Sequence, residues 1–488
     1  MAQILMQPDR AEEQMDNLAN YYIGGEWVAP LSSASFPVLN PATEQQFGTI
    51  YLANAADVSR AVAAAKTAFE TYARTSKAER LALLENLLVI SQRRIGDLAA
   101  AMSQEMGAPM TMAREAQADA AIGHLEGFIA ALRAQEERET LANGDVLLRE
   151  PIGVCGLISP WNWPINQIAL KVIPALATGC TCVLKPSEHT PLSAVLYAEI
   201  IDEAGFPAGV FNLIQGDGAT AGTALTGHPD IEMVSFTGST RAGIAITKNA
   251  ADTVKRVTLE LGGKSANLIF ADCDLQERVA GSVLECMYNT GQSCDAPTRL
   301  LVEASVYAQA LDIAKETAEA IRVGDPAQEG DHIGPLFDRI QYDRVQQMIS
   351  IGIDEGARLL TGGLGKPEGY DTGHFVKPTI FADVRNDMRI AQEEIFGPVL
   401  VVIPFETEEE AISIANDTPY GLAAYVQTGD PARAERVAAR LRAGAVHING
   451  GAFNYGSPFG GYKQSGNGRE GGVHGLEDYQ EIKTLHFG

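Results

Sequence analysis

From Pro151 onward, short apolar runs alternate with helical stretches, and no other feature of the chain limits its fold as tightly. The runs are Val154–Ile158, Cys182–Lys185, Val210–Ile214, Met233–Phe236 and Arg256–Leu259, with helical patterns at about 165–178, 191–204, 218–226 and 239–251 between them. Strand-helix-strand repetition with short turns predicts a parallel sheet covered on both faces. Such a sheet binds ligands at the carboxyl ends of its strands. The loops there are Ser159-Pro160-Trp161-Asn162-Trp163, Lys185-Pro186-Ser187-Glu188, Gln215-Gly216-Asp217-Gly218 and Thr237-Gly238-Ser239-Thr240, all rich in glycine, hydroxyls or amides.

A second pattern of the same kind follows, with strands near 299–303, 357–361, 398–405, 423–427 and 445–449. Its helices fall near 305–322, 338–356, 407–416 and 430–442. A chain of 488 residues is too long for one ordinary core. The expected architecture is two doubly wound α/β domains, the first Rossmann-like, plus a small β extension. The first would comprise 1–135 with 151–260, the second 261–449, and the extension 136–150 with 475–488. Helices are expected over Ala55–Ala73, Lys77–Met106 and Ala113–Gln135, after a hairpin around Gly24-Gly25. The late segment 475–485 reads as a strand that pairs with 136–150 or with another subunit, which predicts a homo-oligomer, dimer or tetramer.

A net charge of −25 argues against a nucleic-acid or anionic-membrane partner. No 18-residue apolar run occurs, and the polar, acidic residues 1–20 lack a secretory pattern. The six cysteines (155, 180, 182, 273, 286, 294) form no CxxC pair and no metal spacing, so a reducing, cytoplasmic setting is expected. Cys155, Cys180 and Cys182 lie in apolar runs and read as small core side chains.

Cys294 is different. A helical pattern runs from about Asp274 to Gly291, which is expected to stop it, and Ser293-Cys294 then sits on a short loop before Pro297. That setting can present a sulfur to a cleft. A thiol nucleophile needs a base and donors aimed at the developing oxyanion. Glu260, between two leucines and before Gly262-Gly263, reads as a buried general base or as a carboxylate capping the next turn. Asn162 reads as an oxyanion donor, with the Cys294 N–H as second donor, or as a cap for the helix after Pro164.

Seven segments occur in one order: Pro160-Trp161-Asn162-Trp163-Pro164, Lys185-Pro186-Ser187-Glu188, Phe236-Thr237-Gly238-Ser239, Leu259-Glu260-Leu261-Gly262-Gly263-Lys264, Gly291-Gln292-Ser293-Cys294, Glu394-Ile395-Phe396-Gly397-Pro398 and Pro458-Phe459-Gly460-Gly461-Tyr462-Lys463. The chain thereby resembles the NAD(P)-dependent aldehyde dehydrogenase superfamily, in its hydrolytic, acid-forming branch, over nearly its whole length. The resemblance implies that Cys294 attacks an aldehyde to give a thiohemiacetal and then a thioester. It implies that Glu260 activates the hydrolytic water, that Asn162 stabilises the oxyanion and that Lys171 takes part in proton movement. Without it, Lys171 would read as a helix-surface charge. The alternatives are a CoA-acylating or semialdehyde-specific relative, or a non-catalytic binding protein of the same fold.

For the cofactor, the resemblance places Lys185 and Glu188 at the adenosine ribose, Ser239 and the following helix start at the pyrophosphate, Glu394 at the nicotinamide ribose and Phe396 beside the ring. Ile158, Ser159, Trp161, Ser187, Gly218, Phe236, Gly238 and Leu261 complete the expected set. A carboxylate at Glu188 favours NAD over NADP. The usual GxGxxG fingerprint is absent, since Gly222 comes one residue late after Gly216-Asp217-Gly218. By the same resemblance the substrate tunnel is expected along Met112–Gly123, Trp163, Gln167, Ser293, Asp295 and 450–457, with Phe453 and Tyr455 as an apolar wall. Asp295 disfavours an anionic substrate end, Arg114 is the one candidate carboxylate clamp, and an aliphatic or aromatic aldehyde is the expected small-molecule partner. Lys463 with its preceding glycines reads as a tight turn near a subunit interface.

Overall fold

A computed structural model describes residues 16–487. Residues 1–15, most of the polar segment before Asn20, lie outside the described residues. Two sheets organise the molecule. The eight-stranded one runs Gly466–Asn467, Arg256–Glu260, Met233–Thr237, Val154–Ile158, Thr181–Lys185, Phe211–Leu213, Tyr21–Ile23, Glu26–Val28. Its five central strands are parallel, and the strands at either edge are antiparallel additions. The parallel part starts in the middle, at Val154–Ile158, builds outward on one side, then returns to build on the other. That reversal leaves a crevice between the ends of Val154–Ile158 and Met233–Thr237, the place where open α/β sheets bind ligands.

The central strands are buried on both faces. Their helices start on local signals. Pro164 and Pro191 occupy first-turn positions. Ser239 caps Thr240–Ala250 by accepting from the Ala242 N–H, and Ser76 forms a capping box with Glu79 at Lys77–Arg93. Helix Asp119–Ala134 buries Leu125, Phe128 and Leu132 in the same core as Leu170 and Ile173 of Pro164–Thr178.

The seven-stranded sheet runs Arg358–Thr361, Thr379–Ala382, Val399–Phe405, Arg299–Glu303, Ala266–Ile269, Ala423–Gln427, Ala445–Ile448, all parallel except the first. A three-stranded sheet pairs Gln480–Leu485 with Val146–Pro151, which pairs in turn with Arg138–Thr140. The late segment therefore finds its partner in the 136–150 excursion of this same chain. No helix among the described residues is long and apolar enough to cross a membrane.

Several expectations need correction. Ala266–Ile269 and Thr379–Ala382 are strands that the sequence reading passed over, as are Ser35–Leu39 and Gln46–Tyr51, which form a separate two-stranded ribbon. At four residues, the two strands buried in the seven-stranded sheet are too short for an alternation to register. Gly466–Asn467, for which the sequence raises no strand expectation, joins the eight-stranded sheet beside Leu259 and Glu260. The helix before Cys294 ends at Met287, not at Gly291. Asn289 and Thr290 are already left-handed at φ 51° and 57°, and Gly291 follows at 72°.

Candidate active site

The loop that carries Cys294 precedes the strand Arg299–Glu303, so Cys294 stands at the amino end of the seven-stranded sheet. It faces the carboxyl ends of the other sheet. Three left-handed residues turn the chain sharply into this loop, and the Asn289 side chain holds the turn. Its Nδ2 donates to the carbonyls of Asn162 at 2.9 Å and Gln292 at 3.2 Å, and its Oδ1 accepts from Gln117 Nε2 at 3.1 Å. Asn162 Nδ2 donates to the Gln292 carbonyl at 2.9 Å. An amide nitrogen carries two hydrogens, so one remains for the space in front of Cys294.

Cys294 lies between two cavities. One, of about 260 Å³, is lined by Trp161, Asn162, Gly238, Ser239, Leu261, Glu394 and Phe396 among the anticipated residues. Pro160, Thr237, Gly262, Gln341 and Arg344 join them without having been anticipated. Gln341 and Arg344 come from Arg339–Asp354, and no local signal marks that helix as part of a cleft. Trp161 stacks on Phe337 at 3.5 Å and meets Phe396 edge-on at 5.4 Å. Phe396 is itself left-handed, at φ 60°, a conformation a bulky residue keeps only where the surroundings enforce it.

The glycines of this cleft are spaces for other groups. A Cβ on Gly262 would stand 2.4 Å from the Glu394 carboxylate, and one on Gly263 would stand 2.4 Å from the Cys294 carbonyl oxygen. The Gly263 N–H donates to Glu394 at 3.0 Å, and burial pushes that carboxyl up to about 7. Of the other anticipated cofactor contacts, Ile158, Ser159, Lys185, Ser187, Glu188, Gly218 and Phe236 are not in this cavity wall. Lys185 lies 3.8 Å from Glu188 and donates to the carbonyls of Pro186 and Gly216 at 2.8 Å each. The buried Ser159 hydroxyl has no protein partner, and Gly218 opens a turn capped by Asp217.

The second cavity, about 290 Å³, is walled by Glu115, Ala116, Ala120, Trp163, Gln167, Asp295, Phe453 and Tyr455, as expected, together with His124, Asn166, Leu170 and Phe459. His124, Phe453, Tyr455 and Phe459 touch one another ring to ring. Burial pushes His124 down to about 4, so it is neutral near pH 7. No lysine or arginine is in this wall. Arg114, the clamp candidate, is outside it and pairs with Glu329 at 2.6 Å. Ser293, anticipated as a substrate contact, is outside the wall and accepts from Trp163 Nε1 at 2.9 Å.

Glu260 is 4% exposed and neither carboxylate oxygen has a hydrogen-bond partner. Burial, then the nearby Glu470, pushes its pKa well up, with Lys171 opposing. Gly460 makes room for it, since a Cβ there would lie 2.6 Å from Oε1. Lys171 is fully buried and donates to Glu470 at 2.5 Å and to Thr237 at 2.7 Å. Glu470 is thus a functional candidate that the sequence reading missed, because a charged residue in a glycine-rich stretch carries no local mark. Cys294 is pushed well up by burial first, then by Asp295, Glu394 and Glu260.

A family model described as "Aldehyde dehydrogenase family" matches residues 27–485. The chain is 51% identical over 472 residues to a 3-succinoylsemialdehyde-pyridine dehydrogenase from a Pseudomonas species, covering 96% of this chain and 99% of that protein. Its fold matches a crystal structure of an aldehyde dehydrogenase C variant from Pseudomonas syringae in complex with NAD+ and octanal, at TM-score 0.95 and 48% identity, over 96% of this chain and 97% of the other. It also matches an NAD+ complex of aldehyde dehydrogenase from Bacillus cereus, at TM-score 0.94 and 39% identity, over 99% of each chain. With the two cavities meeting at a cysteine, and with matches of this extent, the chain belongs to the aldehyde dehydrogenase family.

Proposed function

We propose that the protein oxidises an aldehyde without a negatively charged tail to the carboxylic acid, with NAD as cofactor and Cys294 as nucleophile. The observation that carries this reading is the position of Cys294, common to the walls of two cavities of different chemistry. The first fits a dinucleotide. It opens on the start of the helix Thr240–Ala250, where N–H groups favour a pyrophosphate, and on the Glu394 carboxylate, which can accept from a ribose. When bound, NAD supplies the acceptor for the hydride that leaves the tetrahedral adduct. Glu188, near the Lys185 ammonium, provides the charge that disfavours a 2′-phosphate.

The second cavity takes the aldehyde. Its rings and neutral imidazole suit an aliphatic or aromatic tail, and two carboxylates without a counter-charge disfavour an anionic one. The Cys294 thiol passes its proton, through water, to the Glu260 carboxylate, which releases it to solvent before the hydrolytic step, and the sulfur adds to the carbonyl carbon. The free hydrogen of Asn162 Nδ2 and the Cys294 N–H hold the oxyanion. The resulting thioester is hydrolysed by a water whose proton Glu260 accepts. A buried carboxylate with raised pKa and no competing donor is suited to that task. Lys171 and Glu470 sit behind it as an ion pair that holds charge near its carboxylate.

The division of labour that goes with this reading has 1–135 with 151–260 binding the cofactor, 261–449 carrying the nucleophile, and 136–150 with 475–488 mediating assembly. The three sheets support it, with the exception of Gly466–Asn467. The edge strand Gln480–Leu485, with Ile482 exposed, supports a homo-oligomer, a dimer or tetramer to be distinguished by light scattering. The absence of any disulfide among six free cysteines goes with a cytoplasmic setting. A panel of neutral, cationic and carboxylate-tailed aldehydes, offered with NAD and NADP and followed by NADH absorbance, tests the proposal. Turnover of neutral aldehydes without added CoA supports it. Turnover only with CoA, or none at all, overturns it.

A further inference from the structure

A buried tyrosine lies behind the nucleophile loop and takes no part in the chemistry above. Tyr425 is on the strand Ala423–Gln427 and is 2% exposed. Its hydroxyl donates to the main-chain carbonyl of Asp295, the residue after Cys294, at 3.1 Å. On the other side of the cysteine, Asn162 grips the Gln292 carbonyl at 2.9 Å. The loop's own bond between them is a short turn from the Ala296 N–H to the Ser293 carbonyl, 3.3 Å. Asn162 and Tyr425 therefore tie the loop on either side of Cys294, one to each sheet.

The phenol is supported in turn. Parallel register sets Tyr425 beside His447, and the rings stack at 4.8 Å with 16° between planes. The imidazole is fixed by a 2.8 Å bond between Nδ1 and the Gly451 carbonyl. Phenylalanine at 425 would fill the same space and lose the tie.

We propose that Tyr425 is a positioning residue for aldehyde oxidation: by holding the Asp295 carbonyl, and with His447 as its stacking support, it aims the Cys294 sulfur and the Asp295 carboxylate at the substrate cavity. This rests on Cys294 being the nucleophile. A misplacement of about 1 Å at a reacting atom can lower a rate on the order of a hundredfold, and since Asn162, Asn289 and Trp163 still hold the loop before Cys294, loss of the Tyr425 tie is expected to cost less, about tenfold.

The test is Tyr425→Phe in the full chain, with three readouts. The expected result is a kcat about tenfold lower and an altered rate of Cys294 alkylation by iodoacetamide, followed by peptide mass, while NAD affinity stays within about twofold of the wild type. His447→Phe, which keeps a stacking ring, should retain activity, and His447→Ala should lose part of it. Wild-type kcat and alkylation rate in Tyr425→Phe would overturn the proposal. So would a loss of activity matched by equal losses in NAD affinity and melting temperature, which is the signature of a purely structural residue. If no aldehyde is oxidised by the wild type, the functional reading fails separately, and the alkylation rates alone decide whether the tie aims the thiol.

Discussion

Gly263 lies so close to the main-chain carbonyl of Cys294 that a methyl group on its α-carbon would stand 2.4 Å from that oxygen. The strand end that carries Glu260 and the loop that carries the thiol are thus in direct contact. Gly263→Ala must push the loop away. A displacement of this size is expected to lower kcat about a hundredfold. The measurement is steady-state NADH formation, with NAD binding by fluorescence as control. A variant at wild-type rate would show that the loop yields without consequence.

Glu260 carries a different burden. Glu260→Gln keeps the volume and removes the proposed proton acceptor. Turnover should fall roughly 10²–10⁴-fold, stalling at or before the thioester. Mass spectrometry of the quenched enzyme detects an acyl group on Cys294 if the stall comes at hydrolysis. An unimpaired steady-state rate would remove Glu260 from the mechanism.

Glu394 gives a pH prediction. Its folded pKa is raised to about 7 by burial, so it is mostly a neutral acid at pH 6 and mostly a carboxylate at pH 8. A ribose hydroxyl needs the carboxylate as acceptor, and the ionised fraction rises about tenfold over that interval. NAD should therefore bind several-fold more tightly at pH 8 than at pH 6. In Glu394→Gln the pH dependence should flatten, which calorimetry at both pH values checks.

Lys171→Met leaves Glu470 buried without its partner. Breaking such a pair by one side destabilises on the order of 3–5 kcal/mol. Urea unfolding should show it, and the double variant Lys171→Met with Glu470→Leu should recover much of the loss. Equal losses in the single and double variants would mean that the pair is not coupled.

Glu188→Ala removes the charge beside the position proposed for the ribose 2′ group. The ratio of NADP to NAD use, as kcat/KM, should rise by about tenfold, because like charges no longer meet there. An unchanged ratio places the discrimination elsewhere.

Most strands of the two sheets were legible because they are largely apolar runs separated by helices of ordinary length. Cys294, Asn162, Glu394 and Phe396 were legible through motifs in a fixed order, and all four come together at the first cavity. What was not legible depends on distance along the chain. Glu470 meets Lys171 across 299 residues, and Gln341 and Arg344 reach the cleft from a helix with no motif of its own. The end of the helix before Cys294 was misplaced because glycine is the usual stop signal. Here Asn289 takes the left-handed turn two residues earlier, its side chain tied to Asn162 and Gln292. Tyr425 lay hidden in an ordinary apolar strand, since nothing in Ala-Ala-Tyr-Val-Gln says which loop the phenol will reach.

Gly466–Asn467 pairs with the strand that ends at Glu260, Gly460 shapes the space for its carboxylate, and Glu470 neutralises Lys171. Gly460, Gly466, Asn467 and Glu470 all lie beyond Ala445–Ile448, the last strand of the seven-stranded sheet. A chain shortened before Gly456 would keep Cys294 and Lys171, yet it would lack the edge strand beside Glu260 and the carboxylate that faces Lys171. The surroundings of the proposed base are thus separable, along the chain, from the loop that carries the thiol.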